Sequence, residues 1–251
     1  MPLMDEFREE RARIKKEGTP KEKAAYFWEY YKWYVIVPLI ALILIGYYVH
    51  HLVTKTDPAL SGLLINATTA EVKTPADEIA DDFSEKMEID TKEYSINLNT
   101  SLTYFPNSTS GTSNYEASQA IMAWIAAGTI DFMSADWDTM TEFSYRQYFA
   151  DLRDVLTEEQ IARYEPYFLY MDQSVLEAQE KAIDENLDID IKYPDCGNPE
   201  NMERPIPVMI DMSQSEILPG LYSGSRPVAF GIVTNAPHPD MTLSFLDYLM
   251  K

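Results

Sequence analysis

Cysteine is almost absent from this 251-residue chain, which contains only Cys196. A lone cysteine excludes an intrachain disulfide and a zinc site built from several thiolates. Histidine is also scarce, with His50, His51 and His238. Basic residues are outnumbered, since 20 Lys and Arg stand against 41 Asp and Glu, for a formal net charge of -21. A chain this acidic repels phosphate backbones, so we expect no nucleic-acid binding.

Common catalytic and metal-binding motifs are missing as well. The sequence has no Gly-x-Ser-x-Gly elbow, no His-Glu-x-x-His pair and no phosphate-binding glycine loop. Residues 184–190 carry alternating oxygen-bearing side chains, as a calcium loop does, but Ile189 lies where an EF-hand needs glycine. We therefore expect no catalytic residue, no metal ion and no cofactor.

Charged residues are also absent from residues 33–53, which read WYVIVPLIALILIGYYVHHLV. As a helix, this run is about 30 Å long, which matches the hydrocarbon core of a lipid bilayer. Tyr and Trp crowd its ends, as they do at membrane interfaces. A buried core helix is disfavoured because the run is apolar on all faces. A cleaved signal peptide is disfavoured because 32 residues precede the run and residues 47–53 are bulky. We expect an uncleaved transmembrane signal anchor.

Positive charge predicts the orientation of this span. Residues 1–32 contain eight Lys and Arg, whereas few follow it closely, so residues 1–32 should form a cytoplasmic helical segment. Thr19 and Pro20 are typical of an N-cap and a first helical position there. Residues 54–251 contain 34 Asp and Glu against 12 Lys and Arg. We expect a linker at residues 54–59 and an extracytoplasmic domain at residues 60–251, placing the protein in the cell membrane as a single-pass chain.

The outer domain opens with elements of alternating type. Residues 60–66, 94–102 and 129–133 have the apolar patterns of strands. Helix starts are indicated at Thr74-Pro75 and at Ser113. The order β-α-β-α-β predicts a parallel sheet with helices on both faces.

The second half is expected to be helical in its middle and to end in two strands and a helix. Capping-box patterns begin at Thr139, Thr157 and Ser174. The closing elements are predicted at residues 206–210, 228–234 and 240–250.

Three stretches resemble extracellular solute-binding proteins of ABC importers. They are GTIDFMSADW (residues 128–137), YRQYFADLRDVLTEEQIARY (145–164) and RPVAFGIVTNAPHPDMTLSFLDYLMK (226–251). The family often carries a strand with Gly-x-x-Asp, a later Tyr…Leu…Leu-Thr…Glu-Gln stretch, and a late strand before a helix with a Phe-Leu-x-x-Leu core. The resemblance implies an α/β fold: a periplasmic-binding type II-like domain with a mixed, mainly parallel sheet, after an N-terminal transmembrane helix.

The chain departs from that family in two ways. Its outer domain is short for a two-lobed binding protein, so one or both lobes must be trimmed. Its tether is a membrane helix, where relatives in Gram-positive bacteria usually have a lipidated cysteine. The resemblance implies a role in transport and an ABC permease, or another membrane protein, as a partner.

A ligand site is expected where the strands end. In open α/β sheets, ligands bind beyond the carboxyl ends of the strands. Asp136 and Trp137, in a predicted loop at residues 134–137, are the best pair for a small polar ligand, and Tyr104 and Asn66 follow the neighbouring strands. The alternative is structural: Asp136 caps the next helix and Trp137 fills the core.

Two functions therefore stay open. The first is a membrane-tethered, non-catalytic binding module like a solute-binding protein. The second is a structural or interaction protein of the cell envelope that has lost its ligand. An open cleft lined by Asp136, Trp137 and Tyr104 would favour the first, and a filled cleft beside an exposed apolar patch would favour the second.

Overall fold

A computed structural model of the chain describes residues 12–13, 19–54, 56–68, 74–106, 111–187, 192–222 and 227–251. Most of the predicted N-terminal segment before Thr19, and residues 188–190 of the calcium-loop-like stretch, lie outside this description. The chain divides into two compact units, Met1–Lys55 and Thr56–Lys251.

The first unit contains one long helix, α1 (Pro20–Thr54), which begins where Thr19 and Pro20 predicted. Between Lys32 and Val49 its mean hydropathy is 1.8 and none of its residues is buried. Among the described residues it is the one helix that is long and apolar enough to cross a membrane. A core helix would be buried, so exposure argues against that alternative, whereas a signal sequence would pass the same test.

The second unit is built on one six-stranded sheet. Its strands are β1 (Asp57–Leu64), β2 (Tyr94–Asn99), β3 (Phe132–Asp136), β4 (Phe168–Asp172), β5 (Pro205–Asp211) and β6 (Val228–Ile232). They lie in the order β2-β1-β3-β6-β5-β4. β1 pairs in parallel with β2 and β3, and the other three pairings are antiparallel. The sheet is mixed, as predicted, but the expectation that it is mainly parallel is wrong.

Helices connect and cover these strands. They are α2 (Pro75–Lys86), α3 (Gly111–Ala126), α4 (Trp137–Ser144), α5 (Leu152–Val155), α6 (Glu158–Tyr164), α7 (Gln173–Asp184) and α8 (Pro239–Leu249). Short 3-10 helices occur at Glu165–Tyr167, Pro199–Asn201 and Leu218–Leu221. The predicted β-α-β-α-β opening is confirmed as β1-α2-β2-α3-β3 with two parallel pairings.

Two predicted helix starts are confirmed in detail. The Thr74 side chain accepts a hydrogen bond from the Asp77 main chain, and the Asp77 carboxylate accepts one from the Thr74 main chain. Thr157 and Gln160 exchange the same pair of bonds at the start of α6. Each reciprocal pair satisfies main-chain donors that the first helical turn leaves free.

The start predicted at Ser113 is two residues late, since α3 begins at Gly111. Two more predicted starts are wrong for one shared reason. Asp136 ends β3 and caps α4 directly, so Thr139 lies inside that helix. Asp172 likewise ends β4 and caps α7, so Ser174 is already helical. An aspartate at the end of a strand can cap the next helix without an intervening loop. The predicted loop at residues 134–137 is therefore the end of a strand and the first residue of a helix.

The strand boundaries also differ from those predicted. β1 starts at Asp57, inside the predicted linker, because the Asp57 N–H donates to the Glu93 carbonyl at 2.9 Å. The register shifts between Pro58 and Leu60, where proline has no N–H to give to the ladder. β4 was not predicted; it pairs with β5 at the edge of the sheet.

Apolar clusters pack on both faces of the sheet, as the predicted layering requires. One cluster includes Phe132, Phe230 and Phe245, and the other includes Met133 and Phe143. The Phe132 ring lies over Gly62, where a Cβ atom would come within 2.0 Å of that ring. The described part of Thr56–Lys251 forms one unit around one sheet. The two-lobed arrangement implied by the resemblance is therefore not found in these residues.

Candidate functional site

The carboxyl ends of β1 and β2 meet through Asn66 and Tyr104. Asn66 follows β1 in a left-handed conformation with φ of 63°, which asparagine tolerates better than most residues. Its Nδ2 donates to the Tyr104 carbonyl at 2.6 Å, and the Tyr104 N–H donates to its Oδ1 at 2.8 Å. The amide side chain thus pairs with the main chain of Tyr104 as a neighbouring strand would.

The Tyr104 side chain points into a polar cluster of the protein itself. It is only 4% exposed, and its hydroxyl donates to Glu142 at 2.5 Å. Arg146 donates to that hydroxyl at 3.0 Å, to Glu142, and to the Ser118 hydroxyl at 3.2 Å. Burial, together with the hydrogen bond to Glu142, raises the pKa of Tyr104 to about 12. The phenol therefore stays protonated and donates within the protein.

Asp136 is the N-cap residue of α4. Its two carboxylate oxygens accept hydrogen bonds from the Thr139 N–H at 3.1 Å and from the Thr139 hydroxyl at 3.0 Å. These bonds satisfy a free donor of the first helical turn, and a carboxylate there also suits the positive end of the helix dipole. The geometry matches the structural alternative considered for this residue.

Trp137 is half-buried and packs against the cluster that contains Tyr104 and Met133. A Cβ atom on Gly197 would lie 3.3 Å from the edge of the indole, so the Gly197 backbone covers part of the ring. The indole Nε1 is buried and has no hydrogen-bond partner among the protein atoms. Packing therefore accounts for the position of this ring.

The four predicted site residues thus lie at one junction, where most of their described polar groups bond to the protein itself. Asn66 and Tyr104 are joined by hydrogen bonds, and Tyr104 and Trp137 share one apolar cluster. Asp136 caps a helix next to them in the chain. Sequence reasoning missed Glu142 and Arg146, although a Glu and an Arg four residues apart are a recognisable signal for an ion pair.

An open groove lies beside the other core cluster. It has a volume of about 320 Å³ and is bounded by α2, the 3-10 helix Leu218–Leu221 and Tyr248 of α8. Its walls combine apolar side chains with the carboxylates of Glu78 and Asp82. Asp82 accepts hydrogen bonds from Lys86 at 2.7 Å and from the Tyr248 hydroxyl at 2.6 Å, and both lower its pKa.

A buried acid lies at the amino end of β3, inside the sheet. Asp131, just before β3, is fully buried and accepts hydrogen bonds from the N–H of Ser61 at 2.7 Å and of His238 at 2.6 Å. The His238 Nδ1 lies 3.1 Å from the same carboxylate. This arrangement ties the start of α8 to β1 and β3. Within the described residues, no group of three or more His, Cys, Asp or Glu could hold a metal ion.

The chain was compared with protein families, with curated proteins and with solved structures. No family model and no curated protein matches the chain. One similar solved structure is an ABC substrate-binding protein from Listeria monocytogenes in complex with cycloalternan. The match covers 54% of this chain and only 35% of that protein, at 10% identity and a TM-score of 0.26. That protein is of the class that the sequence motifs resemble, but so weak a similarity carries no argument about ligand or function.

Proposed function

We propose that this chain is a single-pass membrane protein whose extracytoplasmic α/β domain contacts another protein and catalyses no reaction. The observation that carries the proposal is the hydrogen-bonded cluster at the junction of Asn66 and Tyr104. Tyr104, Glu142 and Arg146 satisfy one another at the edge where a ligand was expected, which leaves their polar groups little to offer a solute.

The membrane anchor is supported by α1. Within α1 the charge-free run covers residues 33–53, whereas the apolar core of a cleaved signal peptide is only about 7–15 residues long. The excess of Lys and Arg before the span favours a cytoplasmic N-terminus and an outer domain after Thr54. Protease added to intact cells should then remove the outer domain, and complete protection would contradict this topology.

Contact with a protein is supported by an exposed, nearly uncharged face on α3. Tyr115 and Met122 are 65% and 47% exposed there. Large apolar side chains grouped on the surface of a soluble domain mark interaction sites more often than isolated ones do. An uncharged, exposed face beside polar groups that already bond to the protein supports the interaction role.

Photo-crosslinking in the native membrane tests the proposal. A photoreactive residue replaces Gln119 on α3, and a matched one replaces Asp81, an exposed residue of α2. We expect a protein adduct from position 119 and none from position 81. Equal yields at the two positions, or no adduct at position 119, would contradict the interaction role.

A second function, solute binding, is favoured by the groove between α2 and α8. At about 320 Å³ it is at the small end of ligand sites, and Glu78 and Asp82 would suit a small organic cation on an apolar floor. An ABC permease would be the expected partner in that role. A thermal-shift screen of small amines should then find a ligand whose stabilising effect is lost in Glu78→Gln.

A further inference from the structure

Helix α3 differs from the other long helices of the outer domain in its charge. Its sequence, GTSNYEASQAIMAWIA, contains Glu116 as its only charged residue. By contrast, α2 has six charged residues in twelve and α7 has four in twelve. A helix that is apolar on most sides is normally buried on most sides. One side of α3 nevertheless remains exposed in the described structure.

The exposed side of α3 forms a continuous seam. Ala117 and Ile121 point into the core, with 3% and 0% exposure. Tyr115, Gln119, Met122 and Ala126 are all exposed on the other side. Their spacing of four, three and four residues is the a/d spacing by which two helices pack together. We call these four residues the α3 seam.

Phe105 lies next to the first turn of the seam. Its N–H donates to the Asn114 side chain at 3.1 Å, and the Asn114 Nδ2 donates to its carbonyl at 2.7 Å. These bonds fix the Phe105 backbone to the start of α3, and its ring is 55% exposed. The apolar surface therefore extends beyond the helix at the end that carries Tyr115.

We infer that the α3 seam binds the α3 seam of a second copy of this chain. Residues 54–251 carry 34 acidic against 12 basic residues, so two copies repel each other over most of their surfaces. The seam contains no charge, and it lets two copies approach without placing carboxylates opposite one another.

The seam is also complementary to itself. When two α3 helices pack antiparallel about a twofold axis, Tyr115 of one copy faces Ala126 of the other, and Gln119 faces Met122. A large side chain is thus opposite a small one at each end, with two side chains of similar length in the centre. A twofold interface requires this self-complementarity, because the same patch serves both copies.

The size of the seam limits the affinity. A 16-residue helix is about 24 Å long and about 10 Å wide, so its footprint is well below the ~800 Å² per partner of a typical stable interface. Association in free solution should be weak. The inference rests on the proposed membrane anchor, since two copies held in one bilayer meet at a much higher effective concentration.

Disulfide mapping in liposomes tests the inference. The full-length chain is prepared as Tyr115→Cys and as Ala126→Cys with tags of different size, and both are reconstituted in phosphatidylcholine and mildly oxidised. Antiparallel pairing predicts that the mixture forms a mixed disulfide at least about tenfold more efficiently than either variant forms one with itself. The native Cys196 is 4% exposed, so the unsubstituted chain supplies the background.

Matched charge variants check that the seam itself drives the pairing. Met122→Glu in both partners should abolish the mixed disulfide, while Ala178→Glu, at an exposed position of α7, should leave it unchanged. Circular dichroism verifies that both variants remain folded. A mixed disulfide that is absent, no better than the self-pairs, or insensitive to Met122→Glu would overturn the inference.

The photo-crosslinking product at position 119 separates this inference from the proposed function. A product of twice the chain mass in native membranes supports both. A product of another mass overturns pairing with a second copy and leaves the interaction role standing. No product contradicts both.

Discussion

The side chain of Asn66 pairs with the main chain of Tyr104, 38 residues later, through two hydrogen bonds of 2.6 and 2.8 Å. This pairing continues the contact between β1 and β2 beyond the last rung of their ladder. It also places Tyr104 so that its hydroxyl reaches Glu142. At the strand ends where a ligand was predicted, these polar groups therefore bond to the protein itself.

The first prediction concerns that pair. Asn66→Ala removes both hydrogen bonds and forces alanine into a left-handed backbone, so it should lower the free energy of unfolding by about 2–3 kcal/mol. Asn66→Gly removes the same bonds but accepts the backbone, so its effect should be smaller. Urea unfolding of the two variants measures the difference. Unchanged stability in Asn66→Ala would show that the pair contributes nothing.

The second prediction concerns Trp137. If the ring serves packing, its removal lowers stability; if it serves ligand binding, its removal leaves stability unchanged. Trp137→Ala should lower stability by about 2–4 kcal/mol, since the ring packs on Gly197 and on an apolar cluster. Trp137→Phe should have less than half that effect, because the indole N–H it removes has no partner within the protein. Thermal melts compare the two. If Trp137→Ala has the same melting temperature as the unsubstituted protein, the ring contributes no packing stability, and ligand binding becomes the better account of Trp137.

The third prediction ranks two residues, Asp131 and His238, that bond to each other at the amino end of β3. Asp131→Ala leaves the buried N–H groups of Ser61 and His238 without their acceptor, so it should lower stability by about 3–5 kcal/mol. His238→Ala removes only the partly exposed ring and should have an effect of about 1 kcal/mol. Denaturant unfolding measures both losses of stability. A larger loss in His238→Ala than in Asp131→Ala would contradict the role given to the Asp131 carboxylate.

The fourth prediction is a dependence on pH through Asp172. Burial alone raises the pKa of Asp172, but hydrogen bonds from the Ser174 hydroxyl and from three main-chain N–H groups outweigh it, so the pKa lies below its usual value. A carboxyl group with a lowered folded pKa adds stability above its unfolded pKa, near 4, and loses it as pH falls through the folded value.

The unsubstituted protein should therefore be more stable than Asp172→Asn by a constant margin between about pH 6 and pH 8. That margin should shrink as the pH falls below about 4. Urea unfolding across this range, with Asp211→Asn as a control at a more exposed aspartate, isolates the contribution. A margin independent of pH would contradict the role given to the Asp172 carboxylate.

Local patterns in the sequence predicted the parallel opening of the domain and its closing elements β5, β6 and α8, but not β4. The helix starts predicted at Thr74 and Thr157 are confirmed, because the donors and acceptors that cap each helix lie within four residues of one another. The patterns at Thr139 and Ser174 were misleading, since an aspartate two or three residues earlier caps each helix. β4 was missed because its sequence, FLYMD, has only four apolar residues in a row, and so short a run fits a helix as well as a strand.

The candidate site was even less predictable from sequence. Because Asn66 and Tyr104 follow neighbouring parallel strands, the sequence correctly predicted that they lie close together at the carboxyl ends of those strands. The Tyr104 hydroxyl bonds there to Glu142 and Arg146, which reach it from about 40 residues away. A contact over that distance in sequence is set by tertiary packing, which no local pattern encodes.

Thiol labelling from outside intact cells tests the central claim most directly, because it reports both the topology and the state of the α3 seam. A membrane-impermeant maleimide is applied to Gln119→Cys and to Asp81→Cys. We expect rapid labelling of position 81 and slow labelling of position 119 in intact cells, and equally rapid labelling of both after dilution in detergent. Equal rates in intact cells would show that the seam is bare, and no labelling of either position would show that the domain is not outside.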